Sequence, residues 1–255
     1  MKGDDRMIIR ETEDAFVMTT QDDHGRFSGD VARGFRRELF MDETVREEVL
    51  LAITEHDRAW LRMDDTPIWN DASRTPFTFI DYPVMPKMLM YTKGVDEIEA
   101  MSPYAGYLCS LHFASFMKNA TEAPLVEFYH DELDRQKRLR DHYSFPGEAV
   151  IHRQFGLLQL CDDISLYVNM NAPGVSKDQE HPWFKEGFDM TIDGERVVAA
   201  WASQHEIRLS PFLFEGAWSA TVKWKYVLKA EIDAQGVAKA FDGAPWTEQT
   251  ITFIR

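Results

Sequence analysis

A histidine and an aspartate stand side by side at His56-Asp57, near the end of the run VREEVLLAITEHDRAW. An ordinary core helix would carry leucine or alanine there. A buried imidazole or carboxylate is costly unless it is paired or holds a cation. His24, His112 and Asp162 stand in three other stretches with an apolar face. Imidazole and carboxylate together make a ligand set suited to a divalent transition metal. Five such residues, each on the apolar side of its helix, predict one shared site.

A helix turns about 100° per residue, which places each candidate on its wheel. Ser28, Val31, Phe35 and Leu39 fall within about 60° of His24. Val45, Val49, Trp60 and Met63 fall within about 40° of His56. Asp57 lies about 100° further round, beside Leu50. His112 shares its face with Ala105, Leu108, Cys109 and Phe116, and Asp162 lies among Phe155, Leu158 and Leu166. Asp163 falls on the more polar side, so Asp162 ranks above it as a ligand. Asp23 is placed to orient the second ring nitrogen of His24.

His130-Asp131 is a second His-Asp pair, but the wheel sets His130 about 140° from Leu125, nearly opposite the apolar stripe. Glu132 sits at the centre of that stripe. It either donates a further ligand or pairs with an arginine.

Positioning these residues takes several helices, read over 24–39, 43–63, 102–117, 124–143 and about 148–170. Residues 7–20 read as a hairpin, two β-rich runs around Thr12-Glu13-Asp14. The stretch 64–91 holds four prolines and many aromatics, and reads as a long irregular lid or pocket wall, or as a loop packed by its own rings. Trp69, Arg74 and Lys87 within it are candidates for substrate contact, the two cations because a phosphate's charge needs steadying. After Asn171 the texture becomes β-branched and aromatic with frequent alternation. Three regions follow: a hairpin at 1–20, a helical metal-binding region at 21–171, and a loop with a small β-rich region at 172–255. His181 opens the loop HPWFKEGF, which lines the pocket mouth or seals the helix–sheet junction.

The formal charge of −15 argues against a nucleic-acid or anionic-membrane partner. It leaves room for a small phosphorylated substrate, because a metal reverses the local field. No apolar run reaches the ~20 residues of a membrane span, and MKGDDRMIIR lacks a signal core. Cys109 and Cys161 lack the spacing of a disulfide framework and read as reduced core thiols, so a cytoplasmic setting is expected. No glycine-rich phosphate loop, GxSxG, HExxH or CxxC is present.

A lone His, a His-Asp dyad and a late Asp on separate helices resemble the HD superfamily of metal-dependent phosphohydrolases. The resemblance falls on His24, His56, Asp57 and Asp162, and Asp162-Asp163-Ile164-Ser165 is similar to that superfamily's final Asp-x-hydrophobic-Ser. More closely, the chain from Met7 resembles an uncharacterised bacterial family known only as a domain of unknown function. That likeness is carried by REEVLLAITEHDRAW, PYAGYLCSLHFASF, LLQLCDDISLYV and HPWFKEGF. Members tend to read Gln-His-Asp-His where this chain has Gln21-Asp22-Asp23-His24, so their first histidine has no counterpart here.

The HD resemblance implies a mainly α fold, an HD-type helical bundle. With the β-rich text it gives a bundle carrying a small antiparallel sheet, formed by the C-terminal region and the N-terminal hairpin. It implies hydrolysis of a small phosphoester or nucleotide by metal-activated water, with Asp57 bridging or orienting metals. His112, with Glu132 or His130, would hold a second ion, giving two ions of Fe, Mn, Ni or Zn. The expected partner is a small phosphorylated molecule, with a homo-oligomer compatible. Two other outcomes fit the same ligands: an HD-type di-iron oxygenase, and a non-catalytic module that senses a ligand.

Overall fold

The computed structural model describes residues 7–255. Residues 1–6, part of the segment assigned to the N-terminal hairpin, lie outside the described residues. Strands β1 (Ile8–Glu11) and β2 (Ala15–Thr19) form the expected hairpin. Helices α1 (Gln21–Arg33) and α2 (Arg46–Glu55) follow, then the short ribbon of β3 (Trp69–Asn70) and β4 (Thr75–Pro76). Four long helices come next: α3 (Val84–Met101), α4 (Pro103–Met117), α5 (Ala123–His142) and α6 (Glu148–Met170). A second ribbon, β5 (Thr191–Ile192) and β6 (Glu195–Arg196), precedes β7 (Val198–Trp201), β8 (Glu206–Ser210) and the long β9 (Trp218–Leu228). Helices α7 (Lys229–Gln235) and α8 (Val237–Gly243) lead into β10 (Trp246–Ile254).

The fold corrects the expectation of a helical bundle with a small antiparallel sheet. Six strands form one mixed sheet in the order β1-β2-β9-β10-β8-β7. β10 runs parallel to β8 and antiparallel to β9, so the last strand enters between two earlier ones. The sheet is half of the architecture: Phe27 and Val31 of α1, Leu108 of α4, and Leu158 of α6 share one core with Val222, Trp224, Ile251 and Phe253. β9 earns its length by alternation, with Ala220 and Val222 buried while Ser219 and Lys223 face water. The hairpin joins the sheet through β2 and β9.

Helix bounds differ in ways that matter for the site. The helix expected over 43–63 breaks: α2 ends at Glu55, His56 caps it, and a single 3-10 turn at Arg58–Trp60 follows. The dyad therefore sits at a helix end, where the chain turns away. The irregular stretch expected over 64–91 ends at Pro83, because α3 starts at Val84. Pro83 and Pro86 hide that start, although a proline is well tolerated where no intrahelical N–H is needed. No helix among the described residues is long and apolar enough to cross a membrane.

Candidate metal centre

Helix α1 brings His24 in one turn from its start. Thr20 caps it, its hydroxyl accepting from the Asp23 amide at 3.1 Å, and Asp22 and Asp23 lie in the first turn, where acidic groups suit the helix dipole. The Asp23 carboxylate accepts from the Thr20 hydroxyl at 2.7 Å. Its partner is thus the cap, and His24 Nδ1 is buried with no hydrogen-bond partner among the described residues. Asp23 does not orient His24 as expected.

Two glycines let α2 lie against α1. A Cβ on Gly25 would sit 2.6 Å from the Thr54 carbonyl oxygen, and one on Gly29 would sit 2.2 Å from Thr54 Oγ1. That approach carries His56 to His24. Helix α6 is fastened on the other side by hydroxyls. Ser165 donates to the His24 carbonyl at 3.1 Å, while Ser28 Oγ lies 3.0 Å from the same carbonyl and 3.2 Å from that of Cys161. These contacts set Asp162 opposite the histidines.

The result is a tight cluster. His24 Nε2 lies 3.2 Å from His56 Nε2 and 3.1 Å from Asp162 Oδ1. Asp57 Oδ2 lies 3.6 Å from His24 Nε2 and 3.4 Å from His56 Nε2. His56 Nε2 lies 3.7 Å from Asp162 Oδ1. Ligands at about 2.1 Å from one ion are about 3.0 Å apart at right angles and about 3.4 Å apart in a tetrahedron. The spacing fits the coordination shell of one small divalent ion. His56 Nδ1 donates to the Ile53 carbonyl at 2.8 Å when it carries the ring proton, which leaves the Nε2 lone pair facing the cluster. The histidine side chains are 1% exposed and those of Asp57 and Asp162 are 12% and 15% exposed, so the cluster opens to solvent on its carboxylate side.

Charge is balanced within the group. Burial opposes a charge on His56, but Asp57 and Asp162 outweigh it and push its pKa up to about 9. Burial works against the Asp162 carboxylate as well, yet hydrogen bonds from His24 and His56 hold it well below the usual carboxylate range. Asp57 is raised, chiefly by burial. His112 is depressed to about 3 by burial, which keeps it neutral.

His112 approaches from α4, its Nε2 3.7 Å from the outer oxygen of Asp162, with its ring edge-on to His56 and Phe116. The residues expected to complete a second ion are elsewhere. Glu132 is buried as expected, but both its oxygens accept from Arg135 Nε, at 3.1 and 3.0 Å. His130 is exposed on the outer face of α5. Asp163 is half-buried next to Asp162, and it lies outside the cluster of His24, His56 and Asp162 that could hold an ion.

Among the residues expected to meet substrate, Arg74 is exposed on a turn with φ of 57°, and Lys87 is buried on α3. Trp69 packs edge-on against Phe16. The His181 amide donates to Asn171 and Phe184 packs on Tyr167 and Phe188, so this loop seals the helix–sheet junction. Sequence reading placed Ser28 on the His24 face and Ser165 in the Asp-x-hydrophobic-Ser ending but gave neither its fastening role, and it missed the glycine pair. Gly25 and Gly29, four apart on one helix face, were the available signal.

A family model described as a protein of unknown function, DUF3891, matches residues 7–229. The chain belongs to DUF3891. No curated protein and no solved structure matches it. The DUF3891 match spans every residue of the cluster and ends at the first residue of α7, leaving β10 outside it. The description of DUF3891 states no activity, so chemistry must be argued from the cluster itself.

Proposed function

We propose that this DUF3891 protein is a metal-dependent hydrolase of a small phosphoester or nucleotide, with one divalent transition metal held by His24, His56, Asp57 and Asp162. The observation that carries the reading is the convergence of these four side chains, from three helical segments, at ligand-to-ligand spacing. Two neutral imidazoles and two carboxylates suit Fe, Mn, Ni or Zn. Such an ion, when bound, would supply a Lewis acid for a phosphoryl oxygen and a water acidic enough to attack at neutral pH.

The chain's own contribution is arrangement. The Ile53 carbonyl fixes the His56 tautomer, and the hydroxyls of Ser28 and Ser165 hold α1 against α6. The partly open carboxylate side gives substrate its approach, next to neutral His112. Only His112 remains near the cluster from the set expected for a second ion, which favours one ion over two.

The test is hydrolysis of a panel of phosphomonoesters, phosphodiesters and nucleotides by protein loaded in turn with Mn²⁺, Fe²⁺, Ni²⁺ and Zn²⁺. Activity with at least one metal, lost in a folded His56→Ala variant, is expected. A fully loaded protein inert on the whole panel would remove the hydrolase reading.

A further inference from the structure

An asparagine is buried at Asn169, one residue from the end of α6. It is a poor choice there: its amide competes for backbone partners, and burial is costly unless the polar atoms are bonded. Leucine would incur neither penalty. Both ends of the amide are engaged. Its Oδ1 accepts from the Thr19 hydroxyl at 2.8 Å, and its Nδ2 donates to the Ser165 carbonyl at 2.8 Å. Thr19 and Ser165 are buried too, and Ser165 directs its own hydroxyl to the His24 carbonyl.

These bonds join the two elements that supply His24 and Asp162, the closest pair in the cluster. Thr19 is the last residue of β2, Thr20 caps α1, and the His24 amide donates to the Thr20 carbonyl at 3.0 Å. Strand and helix meet with no loop between them, so fixing Thr19 fixes the start of α1. On α6, Asn169 lies seven residues past Asp162, about 10 Å along the axis and within about 20° on the wheel. One face of α6 thus carries Asp162 to His24 and, two turns on, Asn169 to Thr19. The other fastenings, from Ser28 and Ser165, gather around the carbonyls of His24 and Cys161. A single gathered point acts as a pivot. A second point two turns away sets the direction of one helix against the other.

We infer that Asn169 is a positioning residue for the metal centre, holding the start of α1 against α6 through Thr19 so that His24 and Asp162 stand at ligand spacing. The inference rests on the metal-binding part of the reading above and not on hydrolysis.

The experiment is titration of the metal-stripped full chain with Co²⁺ alone, whose visible absorption reads affinity and ligand geometry together. Thermal melts of the metal-free proteins read the fold. Asn169→Leu and Thr19→Val should each weaken Co²⁺ binding about tenfold and shift its absorption bands, as loss of a group that orients a ligand does. The double variant should be no weaker than Asn169→Leu alone, because both changes break one bond. Thr19→Ser keeps the hydroxyl and should bind as wild type does. So should Tyr104→Phe, which removes a buried hydroxyl bonded to Gln154 elsewhere in the core. Wild-type affinity and bands in Asn169→Leu and Thr19→Val, whatever their melts, would make Asn169 a packing residue and overturn the inference. Equal weakening in Tyr104→Phe would overturn it as well, by showing general softening. A wild type that takes up no Co²⁺ is a different result: it removes the metal centre itself, and the inference with it. Should Asn169→Leu not fold, Thr19→Val against Thr19→Ser decides.

Discussion

His24 Nε2 and Asp162 Oδ1 stand 3.1 Å apart, although 138 positions of chain separate them. Among the described residues neither is held there by an arginine or a lysine. An imidazole and a carboxylate in that relation, with His56 and Asp57 alongside, leave a gap of ionic dimensions. Replacing Asp162 with alanine, or His24 with alanine, should therefore lower metal affinity by more than the 10–100-fold typical of an outer-shell partner. Metal content of the purified variants by plasma mass spectrometry checks this, with wild type near one ion per chain. Unchanged content would refute the ligand assignment.

Metal binding should strengthen with pH. His56 has its pKa raised to about 9, so in the metal-free protein it carries a proton through neutral pH. An ion must displace that proton. Affinity should rise about tenfold per pH unit between about 6.5 and 9 and flatten above. The sign for the metal-free fold is the reverse. Stability gained from protonated His56 is fully present below the unfolded pKa of about 6.5 and is lost as pH rises through 9. Titration of Zn²⁺ in buffers of differing ionisation enthalpy, counting protons released, measures the first effect.

His112 separates one ion from two. In the arrangement favoured here, His112→Ala keeps its single ion and loses turnover instead. Loss of half of a two-ion complement, by the same metal analysis, would restore the dinuclear arrangement.

Alanine at Gly25 or Gly29 should destabilise the protein, against the usual helix preference. In an unobstructed helix, Gly→Ala stabilises by about 1 kcal/mol. Here the added methyl meets Thr54 at 2.6 or 2.2 Å, and overpacking of this kind costs about 1–3 kcal/mol. A drop in thermal midpoint together with weaker metal binding is expected, because the same approach sets His24 beside His56. A raised midpoint would show that the two helices are not in close contact.

Glu132 and Arg135 should behave as a structural pair. Arg135 joins Glu132 to Asp96 and Glu99 of α3, and its side chain is 10% exposed. Arg135→Met leaves a buried carboxylate without its partner, at a cost of about 3–5 kcal/mol. Glu132→Gln should cost less and leave metal content untouched. Metal loss in Glu132→Gln would make it a ligand after all.

What could be read from sequence was what the helix period controls. The faces holding His24, His112 and Asp162 follow from 3.6-residue spacing, a local property, whereas His56 shares a helix only with Val49 of the residues grouped with it, because α2 ends before Trp60 and Met63. The same wheel set Glu132 inside and His130 outside, as found. Glu132's partner was half legible: Arg135 is one turn away, but Asp96 and Glu99 lie on α3, a helix concealed by Pro83 and Pro86. The sheet was misjudged for a different reason. Strand content shows in the alternation of β9, whereas the parallel entry of β10 beside β8 depends on contacts 45 residues or so apart, as between Gln249 and Gln204. Asp23 was misassigned because proximity in sequence to His24 said nothing of Thr20, whose hydroxyl claims it.

The four proposed ligands come from α1, the end of α2 and the middle of α6, and so exist as a set only in the folded chain. An unfolded chain offers an ion little more than scattered imidazoles and carboxylates, so occupancy of the cluster and integrity of the helices rise and fall as one equilibrium. Under the proposed reading, heat resistance is for that reason a gauge of loading: chelator should lower it, and the free concentration of the preferred cation should set how far it climbs.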